Sequence, residues 1–491
     1  MKRSLFQQLI LYEYRYFIGY LVLIGVALYS MFWRLGTLVP GLNQEEVIQA
    51  SLSTDMSSFI DAPLDPLFRL LQWLSYTVAP DPLIAARLPG ALLGLLTIYL
   101  MYKVVTLKFS ARIGIVTSII FGMSSWLLSY ARFSHPSIST VFLITALIYV
   151  SYKVFESRNL RRLLLLSLVV AVGLYHRYFV YFLLLGVVVS WPVLKELRHK
   201  IPKRTQRIAV VAMVLLVSPL VVAIVRDPEI LRTLLNLPQT MPGLGEIWSN
   251  AQDSISHIFW QSQAYPALYL GDLPMLDIFS AAMVALGLYH LDHEISRTLS
   301  RYILSGFVLG LLILTLNPDP FAFAIMIPFV YVLLAAGYIM LVGQWNEIFP
   351  KNPIARMAAF LPLTILVISV LLYHHERYFR AWPRTPEVIQ EYPESIGRLN
   401  SYIKTLDHNV LVIGLPEEAS TYEVVTRTYD QVQFISTESA VTVLSAKTAI
   451  VTPRANPLLL DNVRDQLPPV RKILSSSSSF ESTLFITYTQ Q

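Results

Sequence analysis

Apolar residues in this chain come in long unbroken runs, not in the spaced patterns of half-buried helices or strands. Runs long enough to cross about 30 Å of hydrocarbon as a helix fall near 16–33, 84–104, 112–129, 137–154, 161–175, 178–194, 208–226, 274–290, 301–316, 321–343 and 356–373. They predict a polytopic α-helical membrane protein with about eleven transmembrane helices. The first run, "YFIGYLVLIGVALYSMFW", lacks a small-residue cleavage site and is expected to stay as an anchor. The runs at 161–175 and 178–194 are short for straight spans. The basic stretches on either side, "RNLRR" and "KELRHKIPKRTQR", favour an even number of crossings between them, with His176 and Arg177 at the hairpin tip.

The pattern changes after Tyr373, where charged residues become frequent and no spanning run remains. Short β-rich runs, "NVLVIGL" (409–415), "QVQFI" (431–435), "TAIVT" (448–452) and "TLFITYT" (483–489), alternate with helix-like stretches such as "PEVIQEYPESIGRLNSYIKTL". We therefore divide the chain into a membrane domain, 1–373, and a small soluble α/β domain, 374–491. The serine run Ser475 to Ser479 reads as a surface turn. Two long loops interrupt the membrane domain, 34–83 and 227–273, and loops of that size usually carry function. In the second, "EIWSNAQDSISHIFWQ" can place Ile247, Ile255, Ile258 and Phe259 on one helical face lying along the membrane.

Composition agrees with the pattern: 55% of residues are hydrophobic, 14% are charged and the mean hydropathy is +0.54. In such a chain the placement of Lys and Arg matters more than the net charge of +6, and nucleic-acid binding is a poor reading of the basic pI. Segments 1–15, 103–112, 153–162, 195–207, 291–301 and 344–356 hold 20 Lys and Arg between them. The intervening loops and span edges hold only Arg34, Arg69, Arg87, Arg132, Arg177, Arg226 and Arg232. This asymmetry predicts a multi-pass protein of the plasma membrane with its N-terminus in the cytoplasm and its C-terminal domain outside. The absence of cysteine excludes disulfides, thiolate metal sites and a Cys nucleophile.

The outer edge of the early spans gathers Arg34, Glu45, Glu46, Asp61, Asp65, Arg69, Arg87, Arg132, His135, His176 and Arg177. Carboxylates, arginines and histidines beside hydrocarbon suit a lipid with a phosphate head group, held by Arg while a carboxylate does acid–base work. Each has a plainer reading. Arg34 and Arg87 are placed as snorkelling arginines are. The pair Glu45 and Glu46 is placed as a helix N-terminus favours. Arg132 and Arg177 sit in short outer turns, where the positive-inside bias disfavours Arg. His135 and His176 lack HxH or HExxH spacing, so no metal-ligand motif stands out and a need for a divalent metal is left open.

The stretches "RLGTLVPGLNQEEVIQA", "DAPLDPLFRLLQWL", "SSWLLSYARFSHPS" and "YHHERYFRAWPRTPEVIQEY" resemble the GT-C superfamily of integral-membrane glycosyltransferases. The closer resemblance is to the branch of protein O-mannosyltransferases and lipid A aminoarabinose transferase. That resemblance implies transfer of a sugar from a polyprenyl-phosphate donor to a protein, lipid or glycan acceptor on the outer face, with inversion. It implies a catalytic carboxylate at Glu45, with Glu46 beside it, and a donor-phosphate arginine at Arg132. Arg177 and Arg69 are further phosphate candidates, and Asp61, Asp65, His135 and His176 substrate-binding candidates. Glu45 stands where the family has Asp, Asp61 where it often has His, and His135 follows Arg132 where an acidic residue is common. An inactive scaffold of the same fold is therefore one alternative. A transporter is another, although it would place ionisable groups near mid-membrane and show repeated, Gly/Pro-broken spans.

Overall fold

A computed structural model of the chain describes residues 14–53, 63–157, 159–238, 240–261, 265–349, 353–437, 447–458, 467–468, 470–474 and 484–489. Its helices are α1 (Arg15–Phe32), α2 (Gln44–Leu52), α3 (Pro66–Val78), α4 (Pro82–Lys108), α5 (Ala111–Met123), α6 (Ser125–Ala131), α7 (Ser137–Glu156), α8 (Leu160–Gly173), α9 (Phe179–Val189) and α10 (Trp191–Lys200). They continue as α11 (Lys203–Arg226), α12 (Glu229–Leu235), α13 (Leu244–Phe259), α14 (Ile278–His293), α15 (Thr298–Leu316), α16 (Ile327–Ile348) and α17 (Pro353–His375). In the C-terminal part follow α18 (Pro386–Glu391), α19 (Glu394–Ile403), β1 (Val410–Gly414), α20 (Ala419–Thr426), β2 (Val432–Ser436), β3 (Thr448–Val451), β4 (Val470–Leu474) and β5 (Phe485–Thr489).

All eleven apolar runs are helical, but they are not eleven equal spans. Among the described residues five helices are long and apolar enough to cross a membrane, or seven if each bent pair counts as one. The pair α5 and α6 bends by 62° at Ser124, and α9 and α10 bend by 76° at Ser190. The protein is a multi-pass membrane protein whose helices pack through small residues. Where α14 crosses α16, a Cβ on Gly287 would sit 1.9 Å from the Leu333 carbonyl, and one on Gly337 equally close to that of Met283. Only glycines allow the two backbones to approach so closely.

Helix α13 leaves Leu244 and Trp248 exposed. It packs beside α15 and buries Ser254, His257 and Ile258, the His257 ring lying against Tyr269 and Phe323, whereas Ile255 is 45% exposed. The C-terminal sheet has strand order β2-β1-β3-β5-β4. Its pairs β1/β2 and β1/β3 are parallel, and β3/β5 and β4/β5 are antiparallel. Four of these strands fall on the expected runs. The edge strand β4, "VRKIL", is mostly exposed and has too little apolar character to stand out in sequence.

Candidate active site

Helix α2 starts as its sequence dictates. Asn43 Oδ1 accepts from the Glu45 N–H at 2.9 Å, and Glu46 Oε2 accepts in return from the Asn43 N–H at 3.1 Å, forming a capping box. Glu46 does more than cap. Arg87 of α4 donates to it from Nε and Nη2, both at 2.8 Å, and the Ser134 N–H donates to Oε1 at 3.1 Å. Both side chains are buried, and the forked geometry offsets the cost of removing two charges from water. Every strong acceptor site on Glu46 is occupied by the fold itself.

Glu45 is turned about 100° away around the helix. It is partly exposed, and its carboxylate has no hydrogen bond or ion pair among the described residues. One turn further, Gln49 lines a cleft of about 40 Å³ together with Asp65, His135, Arg177, Tyr178 and Asp319. Tyr265 stands edge-on to Phe321 of the cleft wall, their ring centroids 5.8 Å apart. Its phenol is pushed up to about 12 by burial and then by the carboxylates Glu45, Glu391 and Asp319. Glu45 thus belongs to the same electrostatic neighbourhood as the cleft.

Asp65 adopts a left-handed backbone, φ 53°, ahead of α3, and its N–H is held by the Tyr175 carbonyl at 3.2 Å. His176 Nδ1 lies 2.7 Å from its carboxylate. Burial pushes the Asp65 carboxyl up, but His176 and Arg177 outweigh burial and hold it below the usual range. His135 stacks on Phe321 at 3.8 Å, and its Nδ1 accepts from the Ser137 N–H. Burial pulls its pKa down to about 3, so it is a neutral ring at physiological pH. Asp319, raised by burial, accepts from the Phe321 N–H at 2.9 Å. Arg177 is exposed at the cleft and forms no ion pair among the described residues.

The other candidate arginines are engaged elsewhere. Arg132 donates to the carbonyls of Ser30, Met31 and Trp33 at 2.8, 3.0 and 2.8 Å, closing the end of α1, and its guanidinium lies 5.1 Å from the Phe379 ring centroid. Arg69 donates to the Leu52 carbonyl at 2.7 Å and so caps α2. Asp61 lies outside the described residues. Sequence reasoning missed Asp319, Tyr178 and Tyr265. The signal for Asp319 was present, since "NPDPF" puts a lone carboxylate between two apolar runs. Among the described residues no group of three or more His, Asp or Glu is placed to hold a metal ion.

The C-terminal part grips the same helix. A Cβ on Gly41 would meet the Pro393 carbonyl at 2.3 Å, and one on Gly397 would meet that of Pro40 at 1.8 Å. Asn43 Nδ2 donates to Glu391 at 2.6 Å, and Lys404 pairs with Asp81. Leu42, Val47 and Ala50 share one apolar core with Ile396, Leu399, Val425 and Phe485. The sheet domain and the segment bearing Glu45 are packed as one unit.

Fold and cleft together define a class: a multi-pass membrane protein with a polar, carboxylate- and arginine-bearing cleft and a small C-terminal sheet domain. Residues 61–222 match the family model described as dolichyl-phosphate-mannose-protein mannosyltransferase. Among solved structures the chain is similar to ArnT from Cupriavidus metallidurans in the apo state, with a TM-score of 0.59 at 11% identity over 96% of this chain and 97% of that one. The same protein bound to undecaprenyl phosphate is similar with a TM-score of 0.52 at 12% identity, over 95% and 97% of the two chains. No curated protein matches. The chain thus resembles that mannosyltransferase family in sequence over residues 61–222 and ArnT in fold over nearly its whole length.

Proposed function

We propose that the protein transfers a sugar from a polyprenyl-phosphate donor to an acceptor at the outer face of the membrane, with inversion at the anomeric carbon. The observation that carries this reading is the division between two adjacent carboxylates: Glu46 is saturated by Arg87, whereas Glu45 is unpaired beside a cleft that holds an unpaired Arg177. Glu45 takes the proton of an acceptor hydroxyl as its oxygen bonds to the anomeric carbon. The anomeric carbon–oxygen bond breaks, and its electron pair leaves with the lipid phosphate. Arg177 neutralises the departing phosphate. In this assignment the phosphate role passes from Arg132, which is buried with both Nη groups held by the carbonyls at the end of α1, to the exposed Arg177. The matched family and the undecaprenyl phosphate held by the similar ArnT support a lipid phosphate as the leaving group. The basic segments at the bundle end opposite the cleft support an outward-facing site.

Two measurements test this. Lipid extracts from cells with and without the gene are compared by mass spectrometry, and a polyprenyl-phosphate sugar is expected to accumulate in its absence. A reporter fused within 195–207 is expected to read as cytoplasmic and one within 227–272 as external. No accumulated donor, together with no release of sugar by the purified protein from any polyprenyl-phosphate sugar supplied, would leave a scaffold that shares only the fold.

A further inference from the structure

A cavity of about 460 Å³ lies at the far end of the bundle from the cleft. It is walled by α4, α7, α8, α9, α10 and α15, and its lining is dominated by aliphatic side chains such as Leu147, Leu166, Val170, Leu183 and Val187. Along α4 it lies about 30 Å from Arg87 at the cleft end, by helix rise alone. No step of the proposed reaction uses it.

Its polar end is cationic. Lys108 lines it with a side chain only 4% exposed, and donates to Glu294 at 2.9 Å and Ser300 at 3.0 Å. An ammonium has three donors, so one is left without a hydrogen-bond partner among the described residues, with the Phe109 ring centroid 5.3 Å from Nζ. Arg297, also in the lining, pairs with the same Glu294 at 2.9 Å and is 66% exposed. Two cations thus share one carboxylate. Helix α10, bent 76° from α9, lines the cavity with Val193 and Leu194 and carries exposed Lys195, Arg198 and Lys200. An aliphatic space holds an apolar chain better than water, and a net positive mouth with a spare buried donor takes an anionic head group.

We infer that this cavity binds one anionic phospholipid of the leaflet at that end, its acyl chain among the aliphatic walls and its phosphate on Lys108 and Arg297. The inference is independent of the transferase reading, because its readout is binding and not turnover.

The test is native mass spectrometry of the detergent-solubilised full chain, titrated with phosphatidylglycerol or phosphatidylcholine of the same acyl composition. One phosphatidylglycerol is expected to be retained in preference to phosphatidylcholine. Lys108→Gln should weaken it about five- to tenfold, the scale of one lost charge contact. Ser151→Trp, which fills the cavity, should abolish retention with an unchanged melting temperature. Equal retention of the two lipids, or phosphatidylglycerol retention unchanged in both variants, overturns the inference. Displacement of phosphatidylglycerol one for one by undecaprenyl phosphate would also overturn it, assigning the space to an isoprenoid chain.

Discussion

Neutralising Glu45 and neutralising Glu46 should produce opposite defects, although the residues are neighbours. Glu46→Gln keeps the shape but removes the charge that faces Arg87 in a site where both side chains are at most 3% exposed. A buried guanidinium left without its counter-ion costs about 3–5 kcal/mol. The variant should therefore melt several degrees lower, and any loss of transfer should follow the loss of folded protein. Glu45→Gln removes no contact, so its effect on stability should stay within about 0.5 kcal/mol. If Glu45 is the base, its turnover should fall about 10²- to 10⁴-fold with donor binding unchanged. The assay measures melting in detergent, binding of a polyprenyl-phosphate sugar and sugar release on the same preparations. A Glu45→Gln enzyme at full rate beside a well-folded, inactive Glu46→Gln would refute the division of roles.

Three further outcomes follow from the geometry. Arg177→Gln should weaken donor binding and slow release together without lowering the melting temperature, whereas Arg132→Gln should lower it by uncapping α1; binding measured beside melting separates the two. His135, neutral in the fold because its pKa is pulled down to about 3, binds a proton more readily when unfolded, where its pKa is about 6.5. Its contribution is thus complete above about pH 6.5 and is lost as pH falls toward 3, by up to about 2 kcal/mol at pH 5. His135→Phe, which can keep the stack on Phe321, should flatten that part of the melting-versus-pH curve; an unchanged curve would assign the acid sensitivity elsewhere. Gly397→Val should drive the sheet domain off Pro40, since even a Cβ would lie 1.8 Å from its carbonyl. Transfer should fall while the strands persist, and limited proteolysis between the two parts should accelerate.

Much of the architecture was legible because it is encoded locally. A long apolar run must become a helix in hydrocarbon, where each backbone group needs an internal partner, so the eleven runs could be read without knowing their neighbours. The start of α2 was equally local: the Asn43-to-Glu46 spacing closes a capping box within one turn. The alternation of β1, β2, β3 and β5 with helices marked out the C-terminal sheet in the same way. What escaped was whatever depends on partners distant in the chain. Glu46 is spent because Arg87, 41 residues away, reaches it, and nothing in "NQEEV" distinguishes the occupied carboxylate from the free one. Arg132 turned inward because the open carbonyls of α1, about a hundred residues earlier, lie within its reach. The bend at Ser124 is announced in sequence only by Gly122 and the serine pair Ser124 and Ser125. There the Ser125 N–H donates to His374 Nδ1 at 3.3 Å, and the same ring meets Asp277 at 3.1 Å, so α17 and the start of α14 supply the partners. Local sequence decides which segments are helices and strands because their hydrogen bonds are short-range. Which polar groups are left free for a substrate is a remainder, known only after every long-range partner has been assigned.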